Sequence, residues 1–254
     1  MTIAILSALP EEQQGFSSVL THRSTISHAG RSFVCGMFAN QSIVLALSGI
    51  GKVAAATTTA ALIEHFGAQQ IIFTGVAGGV GPDVQVGDVV VAQNFIQHDM
   101  DVRPLFPRWQ VPGYASPLFA CNSQLHQGLL DAAITCVQEA PAWQLPLLKN
   151  RTPKAHTGLI ASGDQFIVSA SVTDTIHRDL LAAGHHVLAV EMEGAAIAQT
   201  CADYGKPFAA VRTISDRADE QAHVDFPAFV QSVASRYAHH IVMGWLKNHY
   251  KAMQ

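Results

Sequence analysis

Two glutamates, Glu191 and Glu193, stand one residue apart inside the otherwise apolar run LAVEMEGAAIAQ (188–199). Alternate side chains of a strand share a face, so this spacing can send both carboxylates into one site. A carboxylate taken out of water must find hydrogen-bond or charge partners there, because an unpartnered one costs a large share of a domain's net stability. The plainer alternative is a helix that starts here with Glu193 in its first turn, favoured by the helix dipole. That alternative accounts for one glutamate better than for two. Three other stretches carry polar groups or glycines next to apolar runs: Glu11 and Glu12 after SALP, the glycine-rich GVAGGVG (75–81), and VRTISDRAD (211–219). In the last, Ser215, Asp216 and Asp219 follow a strand-like run, and the modest reading is that Ser215 or Asp216 caps a helix. Four such places at strand ends suggest one site assembled along a sheet edge.

Familiar cofactor and catalytic signatures are missing. SGIGK (48–52) lacks the spacing of a P-loop, and GVAGGVGP is not GxGxxG, so the glycines read as tight turns with close backbone approach. None of the thirteen histidines forms HExxH, and no GxSxG elbow is present. The four cysteines, Cys35, Cys121, Cys136 and Cys201, form no CxxC pair and read as reduced thiols. A formal net charge of -4 and the lack of any Lys/Arg run argue against a nucleic-acid partner. No apolar stretch approaches the ~18 residues that span a bilayer, and the N-terminus lacks a basic leader, so the expected location is the cytoplasm. Charged residues make up only 13% of the 254, about half of the ~25% usual in soluble domains. So little charge implies extensive apolar surface, which an oligomer would cover.

The elements that must position these groups alternate between strand and helix. TIAILS reads as a buried strand, followed by a Pro-marked turn and a helix entered through Glu11 and Glu12. RSFVCGMF and SIVLALS read as antiparallel strands, KVAAATTTAALIEHF as a helix, and QQIIFTG as a strand that ends in the glycine turn. VQVGDVVVAQ is another strand. The segment from His98 to Pro117, with four prolines, reads as a long ordered loop. A helix over 123–137, a strand in AHTGLIASGDQFI, a helix stopped at Gly184, a strand in HHVLAVEM, a helix closed by Gly205, a strand in PFAAVRTISD and one long C-terminal helix complete the chain. Without a linker or repeat, residues 1–254 are expected to form a single three-layer α/β/α domain around a central mixed sheet.

SALPEE, SGIGKVAAA, TGVAGG, VGDVVVA, SGDQFI, VEMEGAAIAQTC and VRTISDRAD follow one another in an order that resembles the nucleoside phosphorylase/nucleosidase superfamily. Within it the 5'-methylthioadenosine/S-adenosylhomocysteine nucleosidases are most similar. The resemblance implies cofactor-free and metal-free hydrolysis of an N-glycosidic bond, releasing adenine from 5'-thio-substituted ribosides, by a homodimer. By the family's pattern Glu12 is the base that orients and deprotonates water, and Asp216 is the acid toward N7 of adenine. Glu193 would accept the ribose hydroxyls with Met192 beside the sugar, Phe166 would stack on the base, and the Ile167 backbone would read its edge. Arg212 and Ser215 would line the site, and Glu191 would support it in an unassigned role. The chemistry asks for such groups: adenine leaves poorly as an anion and needs a proton, while the oxocarbenium-like sugar is stabilised by nearby carboxylates.

Two stretches depart from the family. Its nucleosidases usually carry a serine that helps hold the water where this chain has Val76, which offers no side-chain hydrogen bond. The Pro-rich 103–117 loop is also unusual, with Val102, Leu105, Phe106 and Pro112 as loose candidates for a thioalkyl pocket shared with a neighbouring subunit. Rival readings are a phosphorylase of the same fold, a nucleosidase for another purine riboside such as futalosine, and a nucleoside-sensing protein without turnover. Glu12 opposes the phosphorylase, since a carboxylate repels phosphate. The presence of Glu12, Glu193 and Asp216 together opposes the sensor.

Overall fold

A computed structural model describes residues 1–143 and 151–252. Its first strand, β1 (Thr2–Ser7), lies between parallel neighbours β4 (Gln41–Leu47) and β5 (Ala68–Gly79), and is buried on both faces as its unbroken apolar run requires. The antiparallel pair expected after it is present as β3 (Arg31–Phe38) with β4. Ala39 and Asn40, at φ 47° and 65°, form the two-residue left-handed turn that fits the twist of such a hairpin. A further strand, β2 (Thr21–His28), pairs with β3 at the sheet edge and was not foreseen, because THRSTISH is polar and almost wholly exposed. The helix expected at Glu11 is only a single 3-10 turn, Glu11–Gln13, since Gly15 takes φ 88° and redirects the chain.

The remaining elements are α1 (Lys52–Glu64), β6 (Val89–Gln97), the short β7 (Phe119–Ala120), α2 (Ser123–Glu139), β8 (Ala155–Ser162) and α3 (Ala170–Ala182). After them come β9 (Val187–Glu191), α4 (Gly194–Asp203), β10 (Phe208–Asp216), α5 (Ala222–Phe229) and α6 (Ser235–Ala252). Residues 98–118 contain no regular helix or strand, in keeping with their prolines. The expected single C-terminal helix is instead two, joined by a π-helical stretch over Val230–Ala234 that follows Pro227, a residue with no N–H to donate. The glycine turn expected after Phe73 is also displaced: β5 continues through Gly75, Gly78 and Gly79.

The sheet is mixed, in the order β10-β6-β8-β9-β5-β1-β4-β3-β2, with β7 on β6. β10 pairs with β5 as well as β6, so β5, β10, β6, β8 and β9 close into a ring from which β1, β4, β3 and β2 extend as an open wing. Alternation along the strands sends Ile3, Ile5 and Ile72 toward the layer of α2 and α6, and Ala4, Leu6 and Phe73 toward that of α1 and α4. The architecture is the expected α/β class, and the closure of one end of the sheet brings four strand ends close together.

Candidate active site

Glu12 is fixed from both sides. Its Oε2 accepts the N–H groups of Ala8 and Leu9 at 2.8 and 2.9 Å, and its Oε1 accepts the N–H of Val76 at 3.0 Å. The turn that carries it is pinned by Gln13, whose Nε2 donates to the carbonyls of Ile5 and Ala46 at 3.1 and 3.0 Å. Burial pushes the Glu12 carboxyl above the ordinary range, and the nearby Arg212 charge and the three N–H bonds only partly offset it.

Arg212 enters from β10, almost fully buried, with its guanidinium 3.7 Å above the centroid of Phe73. Its Nη2 donates to Glu191 and, at 3.4 Å, to Glu193. A Cβ at Gly75 would overlap Arg212 Nη1 and come within 2.5 Å of Glu12 Oε1. Glycine is therefore needed there for the close approach of Arg212 and Glu12, rather than for a turn.

Glu191 and Glu193 both face this guanidinium, but by different routes. Glu191 ends β9 and accepts the N–H groups of Glu193 and Gly194 and the hydroxyl of Ser162, so it closes the start of α4. Glu193 is the residue at the N-cap of α4, and its Oε1 accepts the N–H of Gly51 at 2.8 Å. Burial and then the Glu191 charge push Glu193 up to about 7, against the opposing pull of Arg212 and the Gly51 N–H. The strand reading and the helix reading thus each describe one residue of the pair.

Asp216 closes β10. Its Oδ2 accepts the Ser215 hydroxyl at 2.7 Å and its Oδ1 the Ala218 N–H at 2.8 Å. Ala218 holds the left-handed conformation at φ 51°, with its carbonyl taken by the Thr173 hydroxyl. Phe166 and Ile167 lie on the connection from β8 to α3. Phe166 is partly exposed and meets Phe226 edge-on at 5.5 Å, whereas Ile167 is buried.

A cavity of about 430 Å³ opens among these groups. Glu12, Val76, Phe166, Ile167, Met192, Glu193, Ser215 and Asp216 all line it, while Arg212 lies behind Glu191 and Glu193. Ile50, Ala218, Phe226 and Pro227 also line it and were not foreseen. They are apolar residues without a chemical signature, and only folding reveals their place. Val102, Leu105, Phe106 and Pro112 are not among the lining residues. Among the described residues, no cluster of three or more His, Cys, Asp or Glu could hold a metal ion, and no helix is long and apolar enough to cross a membrane.

The sequence pattern of the phosphorylase superfamily matches residues 2–246. A 5'-methylthioadenosine/S-adenosylhomocysteine nucleosidase of Oceanobacillus iheyensis is 34% identical over 95% of this chain and 97% of its own. The chain belongs to this nucleosidase family of the phosphorylase superfamily. The crystal structure of the Neisseria meningitidis nucleosidase in complex with methylthio-immucillin-A superposes with a TM-score of 0.83 at 34% identity, covering 97% of this chain and 99% of that one. The Helicobacter pylori futalosine hydrolase superposes equally well, with a TM-score of 0.83 at 29% identity and 98% coverage of both chains. Members of the nucleosidase family and the futalosine hydrolase thus share the backbone that assembles this cavity.

Proposed function

We propose that the chain hydrolyses the N-glycosidic bond of 5'-methylthioadenosine and S-adenosylhomocysteine, releasing adenine and the 5-thio-substituted ribose. The observation that carries this reading is the convergence of Glu12, Glu193 and Asp216, from three strand ends, on one largely apolar cavity. Phe166 stacks on adenine and the Ile167 backbone reads its edge. Asp216, aimed by Ser215 and the Ala218 N–H, delivers a proton to N7 as the C1'–N9 bond breaks. Positive charge then grows on the sugar, where Glu193 holds the hydroxyls and Met192 packs alongside. Glu12 draws the proton from water, and its raised proton affinity makes it the stronger base for that step. Arg212 keeps Glu191 and Glu193 in place without itself lining the cavity.

A phosphorylase would need cationic groups facing its phosphate. Among the described residues that line the cavity, none is Lys, Arg or His. A second reading, a nucleosidase for another purine riboside, is favoured by Val76, which lines the cavity where the family's nucleosidases usually carry a serine. The fold match to the futalosine hydrolase supports it too. The test is to incubate the protein with methylthioadenosine, S-adenosylhomocysteine, adenosine, inosine and futalosine, each with and without phosphate, and to follow free base. Phosphate-independent adenine from the two thio-substituted compounds is expected. Release only from futalosine, or only with phosphate, would replace the reading.

On this reading residues 1–254 form one domain, which the joining of all ten strands among the described residues into one sheet supports. The same reading takes the working form as a cytoplasmic homodimer without nucleic-acid partner, cofactor or metal. The low charge content and the exposed Ile50, Val53, Leu105 and Phe106 support the dimer.

A further inference from the structure

Helix α1 starts beside the cavity with no side chain of its own to cap it: Gly51 is the N-cap residue. Two carboxylates from elsewhere in the chain take over. Glu193 accepts the Gly51 N–H at 2.8 Å, and Asp164, from the connection that carries Phe166 and Ile167, accepts the Lys52 N–H at 2.7 Å. Asp164 is held in turn, because its own N–H donates to Asp99 Oδ2 at 3.0 Å. Asp99 Oδ1 receives the Lys52 ammonium at 2.7 Å, which also donates to Gln97 at 3.0 Å. Lys52, Asp164 and Asp99 therefore form a closed ring of hydrogen bonds. On one side of the ring lies the Gly51 donor to Glu193, and on the other lies the Gln165–Ile167 segment of the cavity wall.

We infer that Asp164 is a positioning residue that couples the two halves of the substrate site, tying the Glu193 end of the cavity to its Phe166 end through the Lys52–Asp99 pair. The inference rests on the nucleosidase reading for which substrate groups each end meets. The coupling itself follows from the ring. Asp164 is exposed and Asp99 partly so. An ion pair at such a rim adds little to global stability. What the ring does is fix two loops, each of which would otherwise be free to move relative to the other.

The experiment compares Asp164→Ala with Asp164→Asn, which keeps an oxygen to accept the Lys52 N–H. Without substrate, hydrogen exchange in Asp164→Ala is expected to quicken together in peptides covering 49–53 and 163–168, and to stay unchanged in β4 and in 235–250. With methylthioadenosine, KM is expected to rise about tenfold, the equivalent of one lost hydrogen bond, with kcat changed far less. Asp164→Asn should restore both readouts. Unchanged exchange in either loop overturns the coupling, as does an Asn variant that behaves like Ala. Exchange is measured without turnover, so failure of the wild type to release adenine would overturn the nucleosidase reading and leave the coupling to be judged by exchange alone.

Discussion

Two buried acidic regions of this molecule satisfy their carboxylates in opposite ways. Asp88, just before β6, is saturated: it accepts the N–H groups of Lys154 and Gln85, faces His156 Nε2 at 3.0 Å, and pairs with Arg151. Burial alone would push its carboxyl up, but His156, the Lys154 N–H and Arg151 outweigh burial and hold it below the ordinary range. At the cavity, Glu12, Glu191 and Glu193 share a single guanidinium, and Glu12 and Glu193 both sit above the ordinary range. A carboxylate that only holds the fold together is surrounded by donors. Glu12 and Glu193 also hold hydrogen bonds but have no cation of their own and are buried against an apolar cavity. That setting keeps their proton affinity raised and, on the proposed function, suits them to exchange protons and accept hydroxyls.

The largest contrast should come from removing the groups proposed to carry protons. Glu12→Gln and Asp216→Asn are each expected to lower kcat/KM for methylthioadenosine by ~10²–10⁴-fold, the usual worth of a positioned acid or base. Circular dichroism and cooperative thermal unfolding should stay native-like. Normal turnover by Asp216→Asn would remove the acid from the mechanism. Glu193→Gln keeps size and one acceptor, so a smaller loss of about 10–100-fold is expected, on the scale of hydrogen bonds to a charged group. If Glu191→Gln alone had that effect, the ribose carboxylate would be the wrong one of the pair.

Asp88→Asn should reverse the pattern. It is expected to cost about 1–3 kcal/mol in urea unfolding, because Arg151 and His156 lose their anionic partner, while activity per folded molecule stays near wild type. The backbone of 87–88, rather than the Asp88 carboxylate, exchanges hydrogen bonds with Ile214, two residues before Asp216. A Asp88→Asn enzyme that folds but turns over slowly would show that support of Asp216 passes through the side chain after all.

The two regions also separate by pH. Glu193 binds its proton more tightly folded, at about 7, than unfolded, near 4.5. Its protonated form therefore favours the fold, and stability should fall as pH rises from about 4.5 to about 7 and level off above. Asp88 binds its proton less tightly folded than the ordinary 3.8, so its contribution is present above that value and disappears as pH falls below it. Urea midpoints measured from pH 3 to 8 should show Glu193→Gln flattening the neutral limb and Asp88→Asn flattening the acid limb. The same variant altering both limbs would mean that the regions are not independent.

This contrast was only half legible in the sequence. The apolar strands, α1, α2 and the helix stops at Gly184 and Gly205 follow from periodicity and glycine, and the site carboxylates stood out because they interrupt apolar runs. Asp88 carries no signal, since one aspartate in VGDVVVAQ looks like an ordinary turn residue and its partners Arg151, Lys154 and His156 come from 63 to 68 positions away. β2 was hidden for the opposite reason: an exposed edge strand has no buried face to pattern. The glycines of TGVAGG look like a turn in sequence, although Gly75 is there to admit Arg212 and Glu12. Closure of the sheet depends on β10 pairing with both β5 and β6, which local spacing does not encode.

The smallest expected effect concerns Val76. Its N–H already holds Glu12 Oε1 at 3.0 Å, and this bond belongs to the backbone, so it survives any side chain at that position. On the proposed mechanism, what valine withholds is a second, hydroxyl contact to the water that Glu12 would activate. Val76→Ser should therefore leave KM nearly unchanged and raise kcat on methylthioadenosine by a few-fold, roughly the worth of one modest hydrogen bond made at the transition state. Val76 is also packed into the core beside Ile5 and Ile72, so the variant should unfold at a slightly lower temperature. A fall in kcat with a gain on a different riboside would mean that valine shapes the cavity for that substrate, and that the missing hydroxyl marks a change of specificity rather than a slower version of the same enzyme.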